Sequence, residues 1–244
     1  MLDYLKPLVP MTLRRTLKIR RVRLFETLGS SRYSRPALDH LDEQLRPFLP
    51  STPGVFLEIG ANDGYTQSNT YFLESWLGWQ GILIEPLPEL YACCKRIRTR
   101  SRCFNVACVA DVAADTVTIM DMNLMSVTLG QQDAEQERHR LRGGREIDVP
   151  ATTLSAVIDQ AGQPAIDFMS IDVEGAELSV LGGLDLERHS PHLLLVETAK
   201  PVAVEDLLEG HLTRVAQLSH HDYLFQRIDS RARGPAVHNQ ITHA

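Results

Sequence analysis

The chain alternates short apolar runs with glycine and proline breaks. "VFLEIG" (55–60) and "GILIEP" (81–86) are apolar runs of the length that parallel strands bury on both faces. "CFNVACVA" (103–110), "AIDFMSIDVEG" (165–175) and "HLLLVET" (192–198) read the same way. "DTVTIMDM" (115–122) predicts a short extra strand, and "YLFQRI" (223–228) a late one. Between the runs, residues 40–48, 66–77, 88–98, 152–162, 176–184 and 204–218 suit helices. Pro88 fits a first helical position, Thr152 or Thr153 a cap, and Gly162 a stop. Residues 131–145, rich in Gln, Glu and Arg, predict a polar loop or lid.

Strands alternating with helices imply an open α/β sheet with helices on both faces. Such sheets bind ligands beyond the carboxyl ends of their strands, where the strand order reverses. The residues that end the strands therefore matter most: Gly60, Glu85, Asn105, Asp172 and Glu197.

Composition changes this picture little, and charge changes it more. The 244 residues are 43% hydrophobic, enough for one sizeable core or a domain with an appendage. Aromatics at 6% do not suggest a base-stacking surface, so no nucleic-acid partner is expected. No apolar run has the length of a membrane span, and no export signal is recognisable. Residues 1–36, however, hold nine Lys/Arg and two acids, whereas the remainder holds 16 basic and 29 acidic residues. A basic arm thus precedes an acidic body, and the boundary is placed at residue 50, in "FLPSTPG". In the arm, Leu13, Leu17, Ile19 and Val22 interleave with Arg14, Arg15, Lys18, Arg20 and Arg21. Two readings are open: a helix packed on the body by its apolar side, or a lip touching anionic lipid or an acidic partner. A contact with a second copy of the chain belongs to the same expectation. The four cysteines lack the C-x₂-C spacing of a zinc site and read as reduced thiols of a cytoplasmic protein. His139, His220 and His221 read as surface residues rather than bases.

The candidate chemistry starts at Glu58-x-Gly60-x-x-x-Gly64. A dinucleotide cradle would read G-x-G-x-x-G, and that spacing is absent. Glu58, two residues before the first glycine, would repel a phosphate but suits an ammonium or sulfonium. This favours S-adenosylmethionine over NAD, although an NAD-dependent oxidoreductase and a non-catalytic binding module with the same fold stay as alternatives. Glu85, 25 residues beyond Gly60, is placed to accept hydrogen bonds from ribose hydroxyls. Asn105, Val106 and Ala107 would border the adenine. Asp172 and Glu174, with Glu197 from the next strand, could act as general base and orienting groups, or hold a divalent cation such as Mg²⁺.

At these residues the chain resembles the FkbM family of S-adenosylmethionine-dependent methyltransferases. The segments are "FLEIGANDGYTQSNTYFLE", "GWQGILIEPLPELY" and "IDFMSIDVEGAELSVLGG", followed by "LLLVE". The resemblance implies a Rossmann-like class I methyltransferase fold over residues 51–244, with a seven-stranded, mostly parallel sheet carrying one antiparallel strand near its end. It implies O-methylation of a hydroxyl on a sugar, glycan or natural product. Carried over by position, Glu58, Gly60, Ala61, Asn62 and Gly64 would line the methionine part of S-adenosylmethionine. Ser68 and Asn69 would meet its carboxylate, and Glu85 and Pro86 would border the ribose. Asp172, Val173 and Glu174 would face the transferred methyl. The closing strand is expected to be short, because "RARGPAVHNQITHA" is polar and broken by glycine and proline.

Overall fold

The computed structural model describes residues 11–112, 114–121, 126–128, 145–162 and 164–228. In chain order the strands are β1 (Val55–Ile59), β2 (Gln80–Ile84), β3 (Arg102–Phe104), β4 (Ala107–Cys108), β5 (Thr116–Asp121), β6 (Ser126–Thr128), β7 (Arg145–Thr152), β8 (Phe168–Ile171), β9 (Leu193–Glu197), β10 (Leu212–Gln217) and β11 (Asp222–Arg227). The helices are α1 (Met11–Thr27), α2 (Leu41–Gln44), α3 (Tyr71–Leu77), α4 (Pro88–Ile97), α5 (Leu154–Gln160), α6 (Glu177–Gly182), α7 (Leu186–His189) and α8 (Pro201–Leu208).

Seven strands form the central sheet, in the order β10-β11-β9-β8-β1-β2-β3. Neighbours pair in parallel from β9 to β3, and β11 alone runs antiparallel, to both β9 and β10. This is the Rossmann-like class I methyltransferase arrangement. The chain winds outward from β1 to β3, then returns to lay β8 on the other side of β1. The reversal lies between β1 and β8, and it fixes where the site sits. A second sheet, β4-β7-β5-β6, flanks the first.

Side chains alternate between the two faces of the sheet with the strand period of two. Leu57, Ile59, Ile82, Ile84, Met169, Ile171, Leu194 and Val196 point to one face, under Val157 and Ile158 of α5, Val180 of α6 and Val204 of α8. Phe56, Leu83, Phe168, Leu193, Leu195 and Leu224 point to the other, under Leu45, Leu73 of α3 and Cys94 of α4. Glu58 shares the second face with Phe56. A carboxylate is thereby aimed into a core layer.

Several expected elements are corrected. Residues 204–218 are not one helix: α8 ends at Leu208, Gly210 turns with φ +78°, and 212–217 is strand β10. Thr213 and Val215 suit an edge strand with most side chains exposed. The closing strand pair is therefore β10 and β11, and the tail expected to supply the last strand lies outside the described residues. The run 103–110 is two strands in different sheets, split at Asn105 and Val106. The helix expected at 66–77 starts only at Tyr71, and that expected at 40–48 is the single turn 41–44. Apart from Arg145, the expected polar loop 131–145 lies outside the described residues.

The basic arm forms α1. From Leu13 to Thr27, Val22 alone is fully buried, against Tyr65 and Tyr71, with Ile19 partly covered. Its body-facing side is cationic: Arg15 pairs with Asp63 at 3.5 Å, and the Arg23 guanidinium donates to the Ile97 carbonyl at 2.7 Å. The expected packing is thus met in part: Ile19 and Val22 face the body and Lys18, Arg20 and Arg21 stay exposed, but Leu13 and Leu17 are exposed as well.

Candidate active site

The turn after β1 is shaped by the protein's own backbone. Gly60 (φ +83°) donates its N–H to the Ile84 carbonyl at 3.0 Å. A Cβ on it would lie 1.8 Å from the Asp172 carbonyl oxygen, so any side chain would part the ends of β1 and β8. Gly64 (φ +83°) faces away from the cleft, and a Cβ there would meet Cys94 Cα of α4 at 2.9 Å. The first glycine lets two strand ends touch, and the second lets α4 pack on the turn.

Glu58 is satisfied within the fold. Its carboxylate accepts from Ser68 Oγ (2.9 Å), the Asn69 N–H (2.9 Å) and Thr70 Oγ1 (2.6 Å). These bonds draw residues 68–70 inward, which is why α3 begins late. Arg98, 1% exposed, stands 3.5 Å from Glu58 and 2.8 Å from Glu74. Its guanidinium also donates to Ser68 Oγ, Thr70 Oγ1 and the Gly64 carbonyl. The charge that suggested a cationic ligand is therefore answered by a buried arginine. Nothing in "KRIRTRSR" distinguishes Arg98 from its basic neighbours, so sequence reasoning missed it.

A cleft of about 990 Å³, open mouth included, lies beyond the ends of β1, β2 and β8. Of the expected residues it is lined by Glu58, Gly60, Asn62, Ser68, Asn69, Glu85, Pro86, Val106, Ala107, Asp172, Val173 and Glu174. Ala61, Gly64, Asn105 and Glu197 are not among its lining residues. Asn105 instead clasps β2, donating to the carbonyls of Glu85 (3.0 Å) and Pro86 (2.7 Å). Ile84, Leu90 and Ile119 add an apolar wall that was not anticipated.

The cleft residues fit an adenosyl cofactor with a cationic amino-acid end. Buried Glu85 accepts one N–H on each oxygen, from Asn62 (2.8 Å) and Leu87 (2.9 Å). A carboxylate oxygen can accept more than one hydrogen bond, the property by which an acid at the end of this strand holds ribose hydroxyls. Asn69, also buried, donates to Ser170 Oγ at 3.1 Å and leaves its Oδ1 without a partner among the described residues. A buried, unpaired amide atom in the cleft wall suits the polar amino-acid end of the cofactor. Ser68 is consumed by Glu58, Arg98 and the N–H of Tyr71.

A separate set of carboxylates stands at the ends of β8, β9 and β11. Asp172 is pushed well above the usual carboxylate range by burial, then by the charges of Glu197 and Glu174. The Asp172 and Glu197 carboxyls share a hydrogen bond. Glu197 is raised by burial and by Asp222, its cross-strand partner in the antiparallel register. Asp222 is itself raised by burial and leaves Oδ1 without a partner among the described residues. Glu174, with φ +50°, stands at the rim, where partial desolvation and then the charge of Glu177 raise it too. Among the described residues no three such side chains converge as metal ligands, so the expected set Asp172, Glu174 and Glu197 does not form an Mg²⁺ site. Asp222 was missed because its partnership with Glu197 depends on strand pairing rather than spacing.

The FkbM methyltransferase domain family matches residues 58–226, and the chain belongs to that family. No curated protein sequence matches the chain. Similar solved structures include a putative caffeoyl-CoA O-methyltransferase from Staphylococcus aureus, at 11% identity and TM-score 0.44, covering 93% of this chain and 96% of that one. An O-methyltransferase from Bacillus cereus in complex with SAH shows 10% identity, TM-score 0.43 and the same coverages. A TehB-like SAM-dependent methyltransferase from Corynebacterium glutamicum shows 9% identity and TM-score 0.42, with 89% and 100% coverage.

Proposed function

We propose that the protein is an S-adenosylmethionine-dependent O-methyltransferase acting on a hydroxyl of a sugar, glycan or natural product. Residues 51–244 would form its catalytic unit, with residues 1–50 as an appendage. The observation that supports this best is one cleft holding Glu85, the orphan Asn69 Oδ1 and Asp172, at the reversal of strand order. In this reading Glu85 holds the ribose, Asn69 Oδ1 accepts from the ammonium, and Val106, Ala107, Leu90 and Ile119 flank the adenine.

When bound, S-adenosylmethionine supplies a methyl group on a sulfonium, and a neutral thioether leaves. The protein's task is to align the acceptor oxygen and remove its proton. A sugar hydroxyl is a weak acid, so a base of raised pKa serves better than an ordinary carboxylate. Asp172 and Glu197 together meet that need. The pair titrates as a unit, and its ionised form takes the hydroxyl proton at Asp172, the member that lines the cleft. Glu197 and Glu174 sustain the raised pKa by their negative charge.

Calorimetry with S-adenosylhomocysteine and with NAD tests the cofactor. Binding of the former and not the latter is expected, and the reverse would overturn the proposal. Methyl release is then measured over a panel of glycans and hydroxylated small molecules. Turnover on amine acceptors alone would overturn the O-methylation part.

A further inference from the structure

Beside its cations, α1 also leaves an apolar ridge facing outward. Leu13, Leu17 and Leu24 are 48%, 53% and 58% exposed, and Leu28, in the turn that follows the helix, is 72% exposed. At 100° per residue these four positions fall within about 60° of one another. Val22, the buried anchor, lies on the opposite side of the helix. Arg20 and Arg21 are exposed and flank the ridge on its two sides. The acid of α1, Glu26, is turned inward, where it accepts from Ser34 Oγ (2.8 Å) and Tyr71 Oη (3.3 Å).

A solvated helix face would carry its cations outward and its leucines inward. Here the acidic body takes Arg15, while Leu13, Leu17 and Leu24 are turned away from the core that buries Val22. An apolar stripe with cationic shoulders and no acid on its face has the form of a helix lying in a lipid–water interface. Leucines enter the acyl boundary, and the flanking arginines meet anionic headgroups. We infer that the outward face of α1, centred on Leu13, Leu17 and Leu24 between Arg20 and Arg21, is a docking surface for an anionic membrane. The same helix touches the cleft wall, with Lys18 Nζ 3.4 Å from Thr66 Oγ1, so docking would hold the cleft beside the bilayer. The inference does not depend on the methyltransferase reading.

The test is flotation of the full chain with vesicles of phosphatidylcholine alone, or with 30% phosphatidylserine, alongside light scattering of the protein without lipid. Binding is expected to the anionic vesicles only and to weaken strongly at high salt. Changing Leu13, Leu17 and Leu24 to Gln should lower partitioning by about tenfold per leucine. The unfolding midpoint should not change, since these side chains touch no core. A paired change of Arg20 and Arg21 to Gln should remove the preference for anionic lipid. Absence of binding to either vesicle would overturn the inference, as would binding that survives the triple leucine change. A lipid-independent dimer abolished by that change would overturn it in favour of a contact between copies of the chain.

Discussion

Two groups of carboxylates lie on the same face of the central sheet, a strand or two apart, and the fold treats them differently. Under the glycine turn, Glu58 and Glu74 surround Arg98, and every one of these charges is paired and hydrogen-bonded. At the ends of β8, β9 and β11, Asp172, Glu197 and Asp222 approach one another with no arginine or lysine among them as an ion-pair partner in the described structure. Burial costs both groups hydration. In the first, the arginine offsets the cost and the network fixes a shape. In the second, the cost appears as raised pKa values, which favour the protonated forms. A paired buried acid therefore reads as architecture, and an unpaired one beside a cleft reads as chemistry.

The sharpest way to break the contrast is to remove the arginine. Arg98→Met should strand Glu58 and Glu74 as uncompensated buried charges and cost about 3–5 kcal/mol of stability. Denaturant unfolding monitored by circular dichroism measures it. Arg98→Lys should recover only part, because an ammonium cannot span Glu74, Thr70 and the Gly64 carbonyl at once. A variant as stable as the parent would remove the distinction between the two groups.

In the second group the opposite result is expected, stability gained and activity lost. Asp172→Asn should lower methyl transfer by about 10²–10⁴-fold while S-adenosylhomocysteine still binds. A raised folded-state pKa favours folding below the unfolded value and penalises it as pH rises through the folded value. The Asn variant escapes that penalty, so it should melt higher than the parent at neutral pH. The gap should close as pH falls toward the ordinary carboxylate range. Each kcal/mol of relief corresponds to about 2–4 °C in a chain of this size. A lower melting point at pH 7 would place Asp172 with the architectural acids instead.

Between the groups stands Gly60, whose missing side chain lets β1 meet the Asp172 carbonyl. Gly60→Ala combines a positive φ with a backbone overlap and should cost about 2–3 kcal/mol. It should also lower activity, because it displaces the backbone that positions Asp172. Unfolding and methyl-release assays on the same preparation measure both effects.

The strand ends were the legible part of this molecule. Glu85 and Asp172 follow apolar runs whose buried, parallel character is plain in "GILIE" and "FMSID", so topology alone delivers them to one edge. Side-chain partnerships were not legible. Glu58 reads from the sequence as an unpaired acid because its neighbour in space, Arg98, is 40 residues away and caps the end of α4. Asn105 looked like a base contact because the break between β3 and β4 is a matter of sheet assignment, which a continuous apolar run conceals. Strand β10 was hidden inside a helical reading because an exposed edge strand keeps too few apolar positions to display its period.

The smallest expected effect tests the chemistry of the second group at one remove. Asp222 lines up with Glu197 across the antiparallel pair and is among the charges that raise it. Asp222→Asn keeps the shape and the Ser219 contact while deleting the charge. Glu197, and the Asp172–Glu197 pair with it, should then ionise at lower pH. If the ionised pair is the base, activity rises with pH along an acid limb set by that ionisation. The limb of kcat/KM should shift to lower pH in the variant, while the plateau at high pH changes less than threefold, about 0.6 kcal/mol. Asp222 is not among the residues that line the cleft, so its charge would act through Glu197. An unmoved limb with a lowered plateau would mean that Asp222 supports the strand pair mechanically and that its charge is not felt at the base.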